Sequence, residues 1–231
     1  MTSAIGGTVG VGKTALALSW AHQAAGHFPD GQLYVNLRGF YPSGNPASPA
    51  AAISGFLDAL GVPPGRIPAS LEAQAGLYRN LVSGKRMLIL LDNARDEQQV
   101  RPLLPASPCS LVLVTGRSQL GGLAATDGAR LLTLDVLSHA EAVQLLTARL
   151  GSDRAAAEPA AVNQIASLCA CLPLALAVAA ARHSPPPLPA GRTSGRARRH
   201  VRPPGCSGCS GWQRPGHQCA GGVLLVLSAA Q

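Results

Sequence analysis

The run Gly7-Thr8-Val9-Gly10-Val11-Gly12-Lys13-Thr14 constrains this chain more than any other stretch. It meets the phosphate-loop pattern G-x-x-x-x-G-K-[ST] at every fixed position. A short apolar run ending at Ile5 precedes it, and a helix-forming run, Ala15 to Ala25, follows. Strand, glycine loop and helix start is the context that pattern needs. Glycines permit positive φ and let bare backbone approach a ligand. Successive N–H groups then form an anion-binding nest, helped by the positive end of the helix dipole. Gly7, Gly10, Val11, Gly12, Lys13, Thr14 and Ala15 are thus the expected surroundings of a phosphate chain. Lys13 would reach the β- and γ-phosphates, and the Thr14 hydroxyl would sit on Mg²⁺. A glycine-rich turn with a chance lysine is the plain alternative.

Further along, Leu33 to Arg38 alternates as a strand does, and Gly39 to Pro49 reads as a loop. Met87-Leu88-Ile89-Leu90-Leu91 and Leu111-Val112-Leu113-Val114-Thr115 are continuous apolar runs, the mark of parallel strands covered on both faces. Leu131 to Leu137 reads as another strand. Met1 to Ile5 is short for a buried strand, which usually runs about 5–6 residues, so the first strand is expected to start late. Helices are expected over Lys13 to Ala25, Ala50 to Leu60, Ser70 to Leu81 and Ala160 to Cys171, and over Leu174 to Arg182 after the break at Pro173. Asp96 with Gln99, and Ser138 with Glu141, have the spacing of capping boxes. The second opens a helix carrying Ala142, Leu145, Leu146 and Leu150, stopped by Gly151.

Asp92 ends the Met87–Leu91 run. A carboxylate at the C-terminal end of a buried parallel strand sits where open α/β sheets bind ligands, and there it could hold Mg²⁺ directly or through water. Capping a turn is its other possible use.

The net charge of +8 suggests a nucleic-acid partner until it is located. Residues 183–231 carry six arginines and no acid, so most of the excess belongs to that stretch. With 7 prolines and 8 glycines, it cannot build a core. It reads as a disordered tail, and its abrupt loss of acids fits a frameshifted gene end. Cys206, Cys209, His217 and Cys219 within it match no structural zinc spacing. No charged-then-apolar leader precedes the phosphate loop, and the expectation is a cytoplasmic protein with reduced thiols.

Together, the phosphate loop, Leu33–Gly39 with Arg38, Leu88–Asn93, Val112–Arg117 and Leu172-Pro173-Leu174-Ala175-Leu176 resemble the NB-ARC type of STAND nucleotide-binding switches. Phe28 to Gly39 and Met87 to Arg95 are most similar to the NB-ARC module of actinomycete SARP-type transcriptional regulators. The resemblance covers roughly residues 3–182. It implies an α/β P-loop NTPase fold, a five-stranded parallel sheet with flanking helices, followed by a small helical subdomain. The expected division is 1–137, 138–182 and the tail 183–231.

The resemblance also implies ADP or ATP as ligand, Arg117 as a γ-phosphate sensor, and Pro173 close to the adenine. An exposed loop arginine and a plain helix breaker are their ordinary counterparts. Arg38 is either a nucleotide-facing residue or a surface strand-end arginine. The expected partners are an adenine nucleotide and a second copy through self-association. DNA would be met only through domains absent from this chain, and no membrane contact is expected.

The chain departs from its relatives at two positions. Asn93 stands where many related ATPases place a second acid that positions water, so tight binding with slow or no hydrolysis is expected. Cys171 stands where a glycine usually precedes Leu-Pro-Leu, which puts the adenine-side turn in question. A small phosphotransferase using the same loop, or a non-functional truncated remnant, are the competing readings.

Overall fold

Leu88, Ile89, Leu90 and Leu91 are all buried, so the strand they form is covered on both faces. The computed structural model describes residues 1–40, 44–117 and 120–183 together with the strand 225–227. Its first unit comprises β1 (Thr2–Gly7), α1 (Lys13–Ala24), β2 (Gln32–Asn36), α2 (Pro49–Ala59), α3 (Leu71–Val82), β3 (Leu88–Ala94), α4 (Glu97–Val100), β4 (Leu111–Gly116), α5 (Gly121–Asp127) and β5 (Arg130–Leu134). A helical unit follows: α6 (His139–Leu150), α7 (Ser152–Ala157), α8 (Pro159–Leu168) and α9 (Pro173–His183). The last described element is β6 (Leu225–Leu227).

The sheet order is β5-β1-β4-β3-β2-β6. The first five strands in that order run parallel, as expected for an α/β P-loop NTPase fold. β6 adds a sixth, antiparallel to β2 through Gln32↔Leu227, Leu33↔Val226 and Tyr34↔Leu225. This strand falls inside the stretch read as a tail. The rest of that stretch, including Cys206, Cys209, His217 and Cys219, lies outside the described residues.

Alternation along β3 divides the core. Ile89 and Leu91 pack with Leu33, Val35, Val112 and Val114 against Ile53, Phe56 and Leu57 of α2 and Tyr78 of α3. Leu88 and Leu90 face the other way and pack with Ile5, Leu113 and with Ala17 and Ala21 of α1. The small alanines let α1 lie close to the sheet, which sets the position of the loop before it.

Several expectations are adjusted. β1 is six residues long, an ordinary strand, because Gly6 and Gly7 stay in the ladder opposite Thr133 and Leu134 of β5. The helix expected up to Cys171 stops at Leu168, since Ala170 and Cys171 take φ of 49° and 54°. Helices α5 and α7 are short and were not anticipated. Pro173 is the first residue of α9, where its missing N–H costs nothing. The Ser138 capping box forms in full, with Glu141 N–H donating to Ser138 Oγ and Ser138 N–H donating to Glu141 Oε2. At the other expected box, Asp96 accepts from Gln99 N–H, but the Gln99 side chain does not return to Asp96. Its carbonyl accepts from Arg95 N–H, and its amide donates to Leu37 O and Ala47 O. Gln99 is buried and holds Ala47 beside Leu37 at the sheet end.

Candidate functional site

Three glycines shape the turn between β1 and α1. Gly7 has φ 143°, and a Cβ there would lie 2.4 Å from Leu134 O. Gly10 has φ 81°, with Leu172 and Leu174 side chains pressed against it. Gly12 has φ 99° and open space around it, so its requirement is conformational alone. Val11 tucks its side chain inward at 4% exposure, leaving the loop backbone outermost.

The Lys13 ammonium curls back over this loop, donating to Gly7 O and Thr8 O at 2.7 Å each. An ammonium has three donors, so one remains for another acceptor. Burial, and after it the nearby Arg117 guanidinium, hold Lys13 below the usual lysine range, with Asp92 opposing. The Thr14 hydroxyl donates to Asp92 Oδ1 at 2.7 Å. Having given its proton away, that hydroxyl keeps its lone pairs for a cation.

Asp92 is 3% exposed and is held by hydroxyls from α1, β4 and β2. Besides Thr14, Thr115 Oγ1 donates to Oδ1 at 2.5 Å and Tyr34 OH to Oδ2 at 3.4 Å. Burial first, then the Asp92 charge, pushes the Tyr34 phenol up to about 12, so it stays a donor. Thr115 also accepts from Asn93 N–H at 2.9 Å. The β3–β4 register shifts between Leu91 and Ala94, and Asn93 takes φ 57°. This irregularity turns Asn93 outward, as bulges near sites commonly do.

These pieces surround one cavity of about 460 Å³, within the range of about 300–1,000 Å³ usual for small-ligand pockets. Gly10, Gly12, Lys13, Thr14, Ala15, Arg117 and Pro173 of the expected residues line it. Gly7, Val11 and Asp92 stand behind it, supporting Lys13, the loop and Thr14 respectively. Arg38 does not line it; it is half-buried at the end of β2, with its N–H donated to Asn36 Oδ1. Arg117 lies over the Phe40 ring, 4.5 Å from the centroid.

The helical unit closes the cavity. Leu174 N–H donates to Gly10 O at 3.1 Å, so the start of α9 is tied directly to the phosphate loop. Leu137 N–H donates to Cys171 O at 3.3 Å on the same side. Cys171 keeps the left-handed backbone that a glycine would take without steric cost, so the turn into Pro173 survives the substitution.

The chain is similar to Regulatory protein AfsR. The proteins of that name from Streptomyces griseus and Streptomyces coelicolor are each 48% identical to it over 180 residues. The match takes in 78% of this chain and 18% of each relative. The chain therefore spans under a fifth of the length of the curated relatives it matches. No family model matches it. Among the described residues, no helix is long and apolar enough to cross a membrane.

Three residues at the site were not anticipated from sequence: Thr115, Tyr34 and Arg149. Thr115 ends a buried apolar run, and a hydroxyl in that place is the signal that could have found it. Tyr34 sits in β2 opposite Leu90 and reaches Asp92 across the strand pair. Arg149 lies beside Leu150 in the last turn of α6, exposed, and nothing in its local spacing points to the cavity.

Among the described residues, no group of three or more His, Cys, Asp or Glu side chains could hold a metal alone. Mg²⁺ at nucleotide sites needs only one or two carboxylates because substrate phosphates complete its shell. Thr14 and Asp92 together fit that role and not an independent metal centre.

Proposed function

We propose that this chain is an adenine-nucleotide switch module from a transcriptional regulator, binding ADP or ATP with Mg²⁺ and hydrolysing ATP slowly or not at all. The observation that carries the reading is the convergence of Lys13, Thr14 and Arg117 on one cavity, with Asp92 directly behind Thr14. The loop amides and Lys13 would take the phosphates. Thr14 and Asp92 would hold Mg²⁺, which would neutralise phosphate charge. Val9, Pro173, Leu174 and Ala177 offer an apolar wall for the base. Asn93 stands on the wall where a carboxylate would be needed to orient water, and an amide cannot take a proton at neutral pH. The similarity to two proteins named as regulatory supports a control function over a metabolic one.

A thermal melt of the full chain with Mg-ADP and Mg-ATP, beside Lys13→Ala, tests this. A ligand that binds the native form alone stabilises it by about 2.7 kcal/mol at 100 times its Kd. The wild type should shift upward with at least one ligand, and the variant should not. A folded wild type that shifts with neither ligand would falsify the reading. Turnover on the order of 10 per second would refute slow hydrolysis while leaving binding intact.

A further inference from the structure

Arg149 is a third cation on the cavity wall, and it belongs to the other unit. Lys13 comes from the phosphate loop and Arg117 from the end of β4, whereas Arg149 comes from the last turn of α6. Among the described residues, no carboxylate lines the cavity beside these three. The position of Arg149 follows from helical spacing. Ala142 and Leu146 are buried, and Leu145 and Leu150 pack against the same cluster. Arg149 lies beside Leu150 at the margin of that stripe, exposed and on the cavity wall. The side chain is exposed, and no described hydrogen bond or ion pair commits it elsewhere.

We propose that Arg149 recognises the terminal phosphate of a nucleoside triphosphate from the helical unit, so that ATP ties this unit to the sheet more strongly than ADP does. The inference rests on nucleotide binding at this cavity. A guanidinium presents paired donors that match phosphate oxygens, and such charge-assisted bonds are stronger than neutral ones. The loop amides and Lys13 serve either nucleotide. A further phosphate brings charge that a third cation can share, and because that cation sits on a different unit, the contact links the two. A ligand shifts a conformational balance only by its differential affinity for the two arrangements. Arg149 supplies such a difference between ATP and ADP.

Calorimetric titration of the full 231-residue chain with Mg-ATP and Mg-ADP tests it, using wild type, Arg149→Ala, Arg149→Lys and Lys13→Ala. Arg149→Ala should weaken ATP about tenfold and ADP far less, with the unliganded melt unchanged because the residue is exposed. Arg149→Lys should recover part of the loss. Equal weakening of both nucleotides by Arg149→Ala, or of neither, overturns the inference even when Lys13→Ala abolishes binding. A wild type that binds neither nucleotide removes the proposed function itself, and this inference with it.

Discussion

The sheet unit and the helical unit are packed with side chains of different size. Under α2 and α3 the interior holds Phe56, Tyr78, Ile53, Leu57 and Leu91, with the Phe56 and Tyr78 rings 5.7 Å apart. Among α6 to α9 it holds Ala142, Ala155, Ala166 and Ala180 around Leu146, Val162 and Leu176. Apolar burial contributes roughly 25 cal/mol per Å², so an alanine-rich interior yields much less per residue. Regions with fewer buried apolar contacts open at lower free energy. The unit that shapes the Gly7–Thr14 loop is thus the firmer one. The unit that brings Pro173 and Arg149 is the softer one, joined to that loop through contacts such as Leu174 N–H to Gly10 O. The proposed switch would need this inequality: a fixed site and a neighbour that can move against it.

The largest expected effect lies in the firmer unit. Phe56→Ala should destabilise the protein by about 3–5 kcal/mol in chemical denaturation, since the ring is fully buried. A loss much below that range would mean the sheet core is no better filled than the helical one. Next in size is Leu146→Ala, at about 2–3 kcal/mol. Its distinguishing readout is amide exchange: protection should fall in α6, α8 and α9 while β1, β3 and β4 keep theirs. Uniform loss across both units would break the comparison and make the chain one cooperative block. The smallest effect is expected from Tyr78→Phe. The Tyr78 hydroxyl is buried without a hydrogen-bond partner among the described residues, and burial pushes the phenol well above its ordinary range. Removing an unpaired buried hydroxyl should leave stability unchanged or raise it by up to about 1 kcal/mol. A measured loss of that size would show that the hydroxyl does have a partner in solution.

Much of the site could be read along the chain because its requirements are local. Gly7, Gly10 and Gly12 announce positive φ, Lys13 and Thr14 follow at fixed spacing, and Asp92 is marked by the apolar run it ends. Ser138 and Glu141 cap their helix from three residues apart, as written. The Gln99 prediction failed because its side chain found acceptors 62 and 52 residues away, at Leu37 and Ala47, where no local spacing could point. Thr115 and Tyr34 escaped for the same reason. Each lies in its own strand, and only the order β4-β3-β2 brings both to one carboxylate.

By itself the sequence determined the phosphate loop, the covered parallel strands and the helix starts, because each depends on backbone conformation and burial over a few neighbouring residues. Tertiary structure alone decided which hydroxyls hold Asp92, that β6 lies along the β2 edge, and that Arg149 lines the cavity. Those outcomes depend on distances between segments far apart in the chain, and such distances exist only once the sheet order and the docking of α9 on the loop are fixed.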